Sequence, residues 1–209
     1  MKIETAVCGP LRTNCYVVSE GNDCIIIDAA GECGTLLDLV GNKKLLAVVQ
    51  THGHFDHIGA VDEVCNKTGA PLYIHEYDAE MLSDPVKNVS MKFYRRPLLC
   101  DTVPNTFTDG ETLTFGEIKL RVMLTPGHTL GSCCLYTRDV IFSGDTLFRG
   151  TIGRTDHYGG DTEREILSVM QIAMLPGDLE VLPGHGEKTS LSAEREYNPY
   201  INKRLKGAE

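Results

Sequence analysis

The chain carries no excess of positive charge and no basic run: 20 Lys and Arg stand against 29 Asp and Glu, for a net charge of −9. A surface that tracks phosphates needs the opposite balance, so nucleic acid is not expected as a partner. No apolar run approaches the ~20 residues that span a bilayer, and the N-terminus lacks a charged-then-apolar leader. No membrane partner is expected either. The eight cysteines, at positions 8, 15, 24, 33, 65, 100, 133 and 134, include no C-x-x-C pair, which offers neither a cysteine zinc site nor a redox motif. They read as small buried hydrophobes, as at Cys15 and Cys24 inside strand-like runs. These absences point to a reducing cytoplasm. There is also no evident Ser/His/Asp or catalytic Cys constellation, no fixed-period repeat, no low-complexity segment and no composition break. The 209 residues, 42% hydrophobic, are therefore read as one compact domain, 1–209.

What is there begins with short strands. Residues 2–8, 13–19 and 23–28 cluster or alternate β-branched residues between Gly, Pro and Asn breaks and predict an antiparallel meander. A helix over 34–40, a strand over 45–50, a helix over 58–67, a strand over 71–74 and a helix over 76–82 follow. The second half predicts strands at 111–115, 117–124, 132–137, 140–143 and 179–182, with helices at 163–174 and 190–197. Thr162-x-x-Glu165 is read as a capping box for the first of those helices. Two strand-rich halves, each with helices, fit an α/β arrangement of two packed sheets with helices outside. Residues 83–105 show no clear pattern; Met91 to Arg96 is read as a flap or a surface connection.

The chemistry is concentrated in Thr51-His52-Gly53-His54-Phe55-Asp56-His57, directly after an apolar strand. On a helix His52 and His54 would project about 200° apart, since each residue turns roughly 100°. In an extended segment, period-two alternation aims His52, His54 and Asp56 the same way, while His57 points elsewhere. One tetrahedral ion with an open position takes three protein ligands, so four such groups predict two neighbouring ions.

Three more apolar strands end in the same local grammar of glycine plus a ligand-type side chain: Thr125-Pro126-Gly127-His128, Ser143-Gly144-Asp145 and Pro183-Gly184-His185. All would lie at strand C-terminal ends, where α/β layers form sites. The count assigns His52, His54 and His128 to one ion, Asp56, His57 and His185 to the other, and Asp145 to both. Zinc suits this donor set, and manganese or iron is compatible. Desolvating these groups side by side costs several kcal/mol without a compensating cation. Asp28, Thr51, Thr125 and Ser143 are expected to fix histidine tautomers. His75 is read as structural and His157 as exposed surface.

These residues resemble the metallo-β-lactamase superfamily, whose H-x-H-x-D-H motif is matched by His52, His54, Asp56 and His57. The later stretches Thr125 to Thr129, Ser143 to Phe148 and Pro183 to Gly186 follow in the family's order. The resemblance implies the αββα four-layer sandwich of two mixed sheets with outer helices. Ile152-Gly153-Arg154-Thr155-Asp156 and Asn198-Pro199-Tyr200 look like the glyoxalase II group, especially its short bacterial members. The group's additional C-terminal helical substrate region has no counterpart in this sequence, and Ala29-Ala30 follow Asp28 where the family commonly has Pro. The resemblance implies a hydrolase of thioesters such as S-lactoylglutathione, acting through two divalent ions, with Asp56 orienting the attacking water. Arg154 falls where a basic residue contacts substrate, the competing reading being an arginine that ties down its loop through Asp156. Alternatives are a hydrolase of lactones or other esters, and a mononuclear iron persulfide dioxygenase using His52, His128 and Asp145.

Overall fold

The structure, a computed structural model, describes residues 1–206. Strands β1 (Lys2–Cys8), β2 (Thr13–Glu20) and β3 (Asp23–Ile27) form the expected antiparallel meander. Helix α1 (Cys33–Val40) then carries the chain to β4 (Lys44–Val49), which pairs parallel to β3. The helix expected over 58–67 is two pieces, α2 (Phe55–Ile58) and α3 (Val61–Thr68). Between them the Ala60 N–H leaves the helical ladder and donates to Ala29 O at 2.8 Å. Strand β5 (Leu72–His75) is followed by Glu76–Leu82, a 3₁₀ helix rather than an α-helix. The strap of residues 83–105 contains one short helix, α4 (Ser90–Phe93), and leads into β6 (Asn105–Phe107), which the sequence pattern did not reveal.

The second half adds β7 (Thr112–Phe115), β8 (Ile118–Leu124), β9 (Cys133–Tyr136) and β10 (Val140–Gly144). A small hairpin, β11 (Leu147–Phe148) and β12 (Thr151–Ile152), precedes α5 (Thr162–Ala173). Strands β13 (Glu180–Pro183) and β14 (Thr189–Ser190) and helices α6 (Leu191–Tyr197) and α7 (Pro199–Lys206) close the fold. The capping box is not formed. Asp161 is the N-cap, its Oδ1 accepting from the Glu163 and Arg164 N–H groups at 3.0 and 3.1 Å, and Glu165 turns inward.

The strands make two mixed six-stranded sheets, ordered β1-β2-β3-β4-β5-β6 and β14-β13-β10-β9-β8-β7. Strand alternation explains why they stack. In β2, Cys15 and Val17 face the helical layer while Tyr16 and Val18 face the other sheet; β3 repeats this with Cys24 and Ile26 against Ile25 and Ile27. Both faces are apolar, so the central strands read as continuous hydrophobic runs. Phe142, Leu120, Val122 and Leu135 supply the facing surface between the sheets, and Ile141, Cys134 and Val181 pack outward with Val169 and Ile172 of α5. Three apolar layers thus separate four layers of secondary structure, the αββα sandwich. All eight cysteines are free and buried. Among the described residues no helix is long and apolar enough to cross a membrane.

Candidate metal centre

Four loops, each leaving the C-terminal end of a strand, meet along one edge of the sandwich. β4 delivers His52 to His57, β8 delivers His128, β10 delivers Asp145 and β13 delivers His185. The donor atoms fall into three overlapping groups, each within 4.8 Å: His52, His54 and His128; His52, His57 and Asp145; Asp56, His57 and His185. His54 Nδ1 lies 2.9 Å from His128 Nε2. Asp145 stands between the groups, with Oδ1 3.3 Å from His57 Nε2 and Oδ2 3.5 Å from both His128 Nε2 and His185 Nε2. Asp56 does not side with His52 and His54 as extended alternation implies. Helix α2 begins at Phe55, before the expected boundary, and turns Asp56 toward His185, 3.1 Å from Oδ2 to Nε2.

The residues fit divalent cations. His52 Nε2, His57 Nε2 and Asp145 Oδ1 are buried without a hydrogen-bond partner, a cost of about 1–3 kcal/mol each if nothing compensates them. Burial, followed by the imidazoles of His57 and His128 respectively, pushes the pKa values of His52 and His54 well below the usual range. Both rings are thereby kept neutral, with a lone pair to give. Burial also opposes charge on His57, but Asp145, Asp28 and Asp56 outweigh it and raise its pKa well above the usual value. Burial works against ionisation of Asp145 too, and there His57 prevails, holding the carboxyl well below its ordinary range. Neutral nitrogen donors at His52 and His54, beside carboxylates that draw positive charge onto His57, describe a hole that favours positive charge.

Outer contacts fix the donors. Asp28, at a positive φ of 59°, accepts from the Thr51 N–H and hydroxyl at 2.8 Å each and holds His57 Nδ1 at 2.9 Å. Thr51 Oγ1 also lies 3.1 Å from His52 Nδ1. Thr125 and Ser143 do not perform the expected tautomer role. The Thr125 hydroxyl meets Ser132 O and Thr146 Oγ1, and that of Ser143 donates to Leu147 O, so both brace loops instead. Backbone carbonyls take over at two further rings: His128 Nδ1 is 2.7 Å from Arg154 O, and His185 Nδ1 is 3.1 Å from Leu11 O. Gly184 is required by close approach, since a Cβ there would lie 2.2 Å from Asp145 Oδ1.

Three residues beside the centre were not assigned to it from the sequence. Asp78, fully buried in the 3₁₀ helix, accepts from Gly53 N at 2.9 Å, Thr129 Oγ1 at 2.7 Å and Gly131 N at 2.7 Å. It staples the His52–His54 loop to the loop after His128, although burial pushes its carboxyl above the usual range. Asn14 ties β2 to the His185 loop through Pro183 O at 2.9 Å and Gly186 O at 3.0 Å. Glu165 is fully buried with neither oxygen hydrogen-bonded, and burial pushes its pKa up to about 8. An acid three residues into an amphipathic helix gave no sign of that inward turn.

A cleft of ≈370 Å³ opens over the centre, walled by Leu11, Phe55, Val89, Phe93, Phe148 and Ile152. His157 lines it rather than standing on open surface: its ring centroid is 5.8 Å from those of His54 and Phe93. Arg154 also borders the cleft, but its Nε and Nη2 donate to Asp156 Oδ1 and Oδ2 at 2.7 and 2.9 Å, the loop-tying arrangement. His75 is buried and accepts from Tyr77 N at 3.3 Å, capping the 3₁₀ helix.

Known proteins share this architecture. An uncharacterized protein of Mycobacterium leprae is 38% identical over 92% of this chain and 95% of its own length. A probable metallo-hydrolase of Bacillus subtilis, YqgX, is 35% identical over 97% and 98%, and the hydroxyacylglutathione hydrolase GloC of Haemophilus influenzae 29% over 97% and 99%. Among solved structures, BLEG-1 B3 metallo-beta-lactamase superposes with a TM-score of 0.92 at 35% identity, covering 96% of this chain and 99% of that one. TTHA1623 in a di-iron-bound form gives 0.84 at 31%, covering 94% and 99%. Residues 8–185, which include all four loops of the centre, match the family model itself, and the chain belongs to the metallo-beta-lactamase superfamily.

Proposed function

We propose that the protein is a binuclear metal-dependent thioesterase of the glyoxalase II type, hydrolysing substrates such as S-lactoylglutathione to the hydroxy acid and free thiol. One observation carries the reading: seven donor side chains converge from four strand ends, with buried nitrogen and oxygen atoms left unpartnered at the point of convergence. A three-residue facial triad would leave His54, Asp56, His57 and His185 without a task, which disfavours the mononuclear dioxygenase. Similarity to the hydroxyacylglutathione hydrolase GloC supports the substrate class, and the di-iron form of TTHA1623 supports two ions. Zinc and iron both suit the donors.

His52, His54 and His128 would hold one ion and Asp56, His57 and His185 the other, with Asp145 shared. When bound, such ions polarise a carbonyl and lower the pKa of coordinated water from 15.7 toward ~7. The chain's own groups supply orientation. Asp56 faces the cleft, and its Oδ2 accepts from the Thr13 hydroxyl at 3.4 Å, leaving a carboxylate lone pair to align the attacking water. Phe148, Ile152 and Leu11 enclose the acyl group and exclude bulk solvent. Water adds to the thioester carbonyl, the C–S bond breaks, and the thiolate departs without a strong general acid.

Elemental analysis of protein purified without added metal should find close to two ions per chain, and chelation should abolish S-lactoylglutathione hydrolysis, with restoration on metal return. Full activity after rigorous chelation would sink the reading.

A further inference from the structure

The cleft walls are largely apolar, yet a segment rich in positive charge borders them, through Phe93, which lines the cleft, and Lys92, which reaches the lining residue His157. Arg154, the cation that family resemblance points to, is already neutralised by Asp156. Residues 85–100 contain Lys87, Lys92, Arg95 and Arg96 and no acidic residue, in a chain of net charge −9. Lys87 is engaged by Glu80. Lys92 instead approaches His157, Nζ to Nδ1 3.4 Å, and the Arg96 guanidinium lies 5.8 Å over the Tyr94 ring. Among the described residues neither makes an ion pair with a carboxylate, and neither does Arg95.

This basic segment is placed by aromatic contacts with the site. Phe93 stacks on Phe55 at 5.5 Å and Tyr94 meets it edge-on at 4.7 Å, while Phe55 itself sits between His54 and Asp56. His157 spans the gap, touching Lys92 on one side and facing His54 on the other. A neutral acyl group filling the cleft would leave the rest of its substrate emerging past His157 and Lys92, on the side of the segment that carries Arg95 and Arg96. Unpaired positive charge beside a low-dielectric cleft raises the local concentration of anions and holds them there.

We propose that the strap, through Lys92 with His157 and reinforced by Arg95 and Arg96, recognises an anionic thiol carrier of the thioester. The proposal deepens the thioesterase reading and rests on it. Carboxylates of a peptide thiol and phosphates of a nucleotide thiol present the same chemistry to these groups. The test compares three thioesters sharing one acyl group: lactoyl-glutathione, lactoyl-coenzyme A and neutral lactoyl-N-acetylcysteamine. In a Lys92→Met, Arg95→Met, Arg96→Met variant the preference for the anionic substrates, as a ratio of kcat/KM to the neutral one, should fall about tenfold. The loss should reside in KM, and Lys92→Arg should keep most of the preference. Whichever anionic substrate loses more identifies the carrier. S-Hexylglutathione, a thioether that cannot be hydrolysed, supplies a second readout, its affinity by calorimetry weakening about tenfold in the triple variant. An unchanged preference with unchanged thioether affinity would overturn the proposal. Strap-dependent thioether binding by a protein that hydrolyses none of the three would uphold strap recognition and refute the thioesterase reading.

Discussion

The rim that gathers the candidate ligands and the strap that roofs the cleft are built on opposite terms. On the rim every contributing loop is tied down: Asp28 holds residues 51 and 57, Asp78 joins 53 to 129 and 131, Asn14 holds 183 and 186, and the Gly184 N–H donates to Gly144 O at 2.7 Å. The strap is pinned mainly near its ends. Asn88 Nδ2 reaches Met81 O and Leu98 O, and Asp62 accepts from residues 101 and 102. Between these points Met91 and Phe93 remain 44% and 42% exposed. Donors must be held to a fraction of an ångström for metal chemistry, whereas a recognition surface tolerates and even needs adjustment. The difference fits the proposed division, with the chemistry in the rigid half and selectivity in the looser one.

The comparison is broken most directly by cutting a tie on the rim. Asp28→Asn keeps a residue type that tolerates the left-handed backbone, but it replaces one acceptor oxygen by an amide and removes the charge facing His57. Outer partners of metal-bound histidines are worth 10- to 100-fold, so a loss of about 30-fold in metal affinity and turnover together is expected. Titration with a competing chelator beside a kcat measurement reads both; retention of full metal affinity would contradict the role of Asp28. Asp78→Asn should do less. One of three donors loses its acceptor in a buried site, costing about 1–3 kcal/mol of stability and, through the shifted loops, about tenfold in kcat/KM. Thermal unfolding and kinetics on one preparation separate the two effects, and an unchanged melting curve would mean the staple is not under load.

This asymmetry also decides what could be read from the sequence. That His52, His54, His57, His128, Asp145 and His185 meet was legible because each follows an apolar strand and a close-packed fold aligns strand ends. Alternation likewise exposed the central strands, whose two apolar faces leave them little choice. Asp78 was not legible: its partners lie 25, 51 and 53 residues away, and nothing local distinguishes it from a surface acid. The helix expected over 58–67 is split because the Ala60 N–H goes to Ala29 O, beside a Gly59 packed so closely on Ala30 that a Cβ would stand 2.2 Å from its carbonyl oxygen, tertiary contacts that no local pattern announces. Glu165 completes a capping box on paper, but Asp161 is the better-placed acceptor and takes the helix end first. The strap was unreadable for the same reason that it suits recognition: α4 is only one turn long and stands by packing Phe93 and Tyr94 on Phe55 rather than by its own periodicity.

The smallest expected effect is at Arg154, and it sharpens the comparison most. Family resemblance assigns this arginine to the substrate, and the cleft includes it. Yet two of its guanidinium nitrogens are spent on Asp156, and both side chains are more than half exposed. An exposed pair of this kind contributes about 0–1 kcal/mol, and the 154 carbonyl that positions His128 belongs to the backbone and survives any substitution. Arg154→Ala should therefore lower kcat/KM on S-lactoylglutathione less than about threefold, on the scale of one screened surface charge, and leave metal content unaltered. A loss tenfold or greater confined to KM would mean that substrate displaces Asp156 and claims the guanidinium. The rim-borne loop would then share recognition with the strap, and the division between a rigid chemical half and a looser selective half would no longer hold.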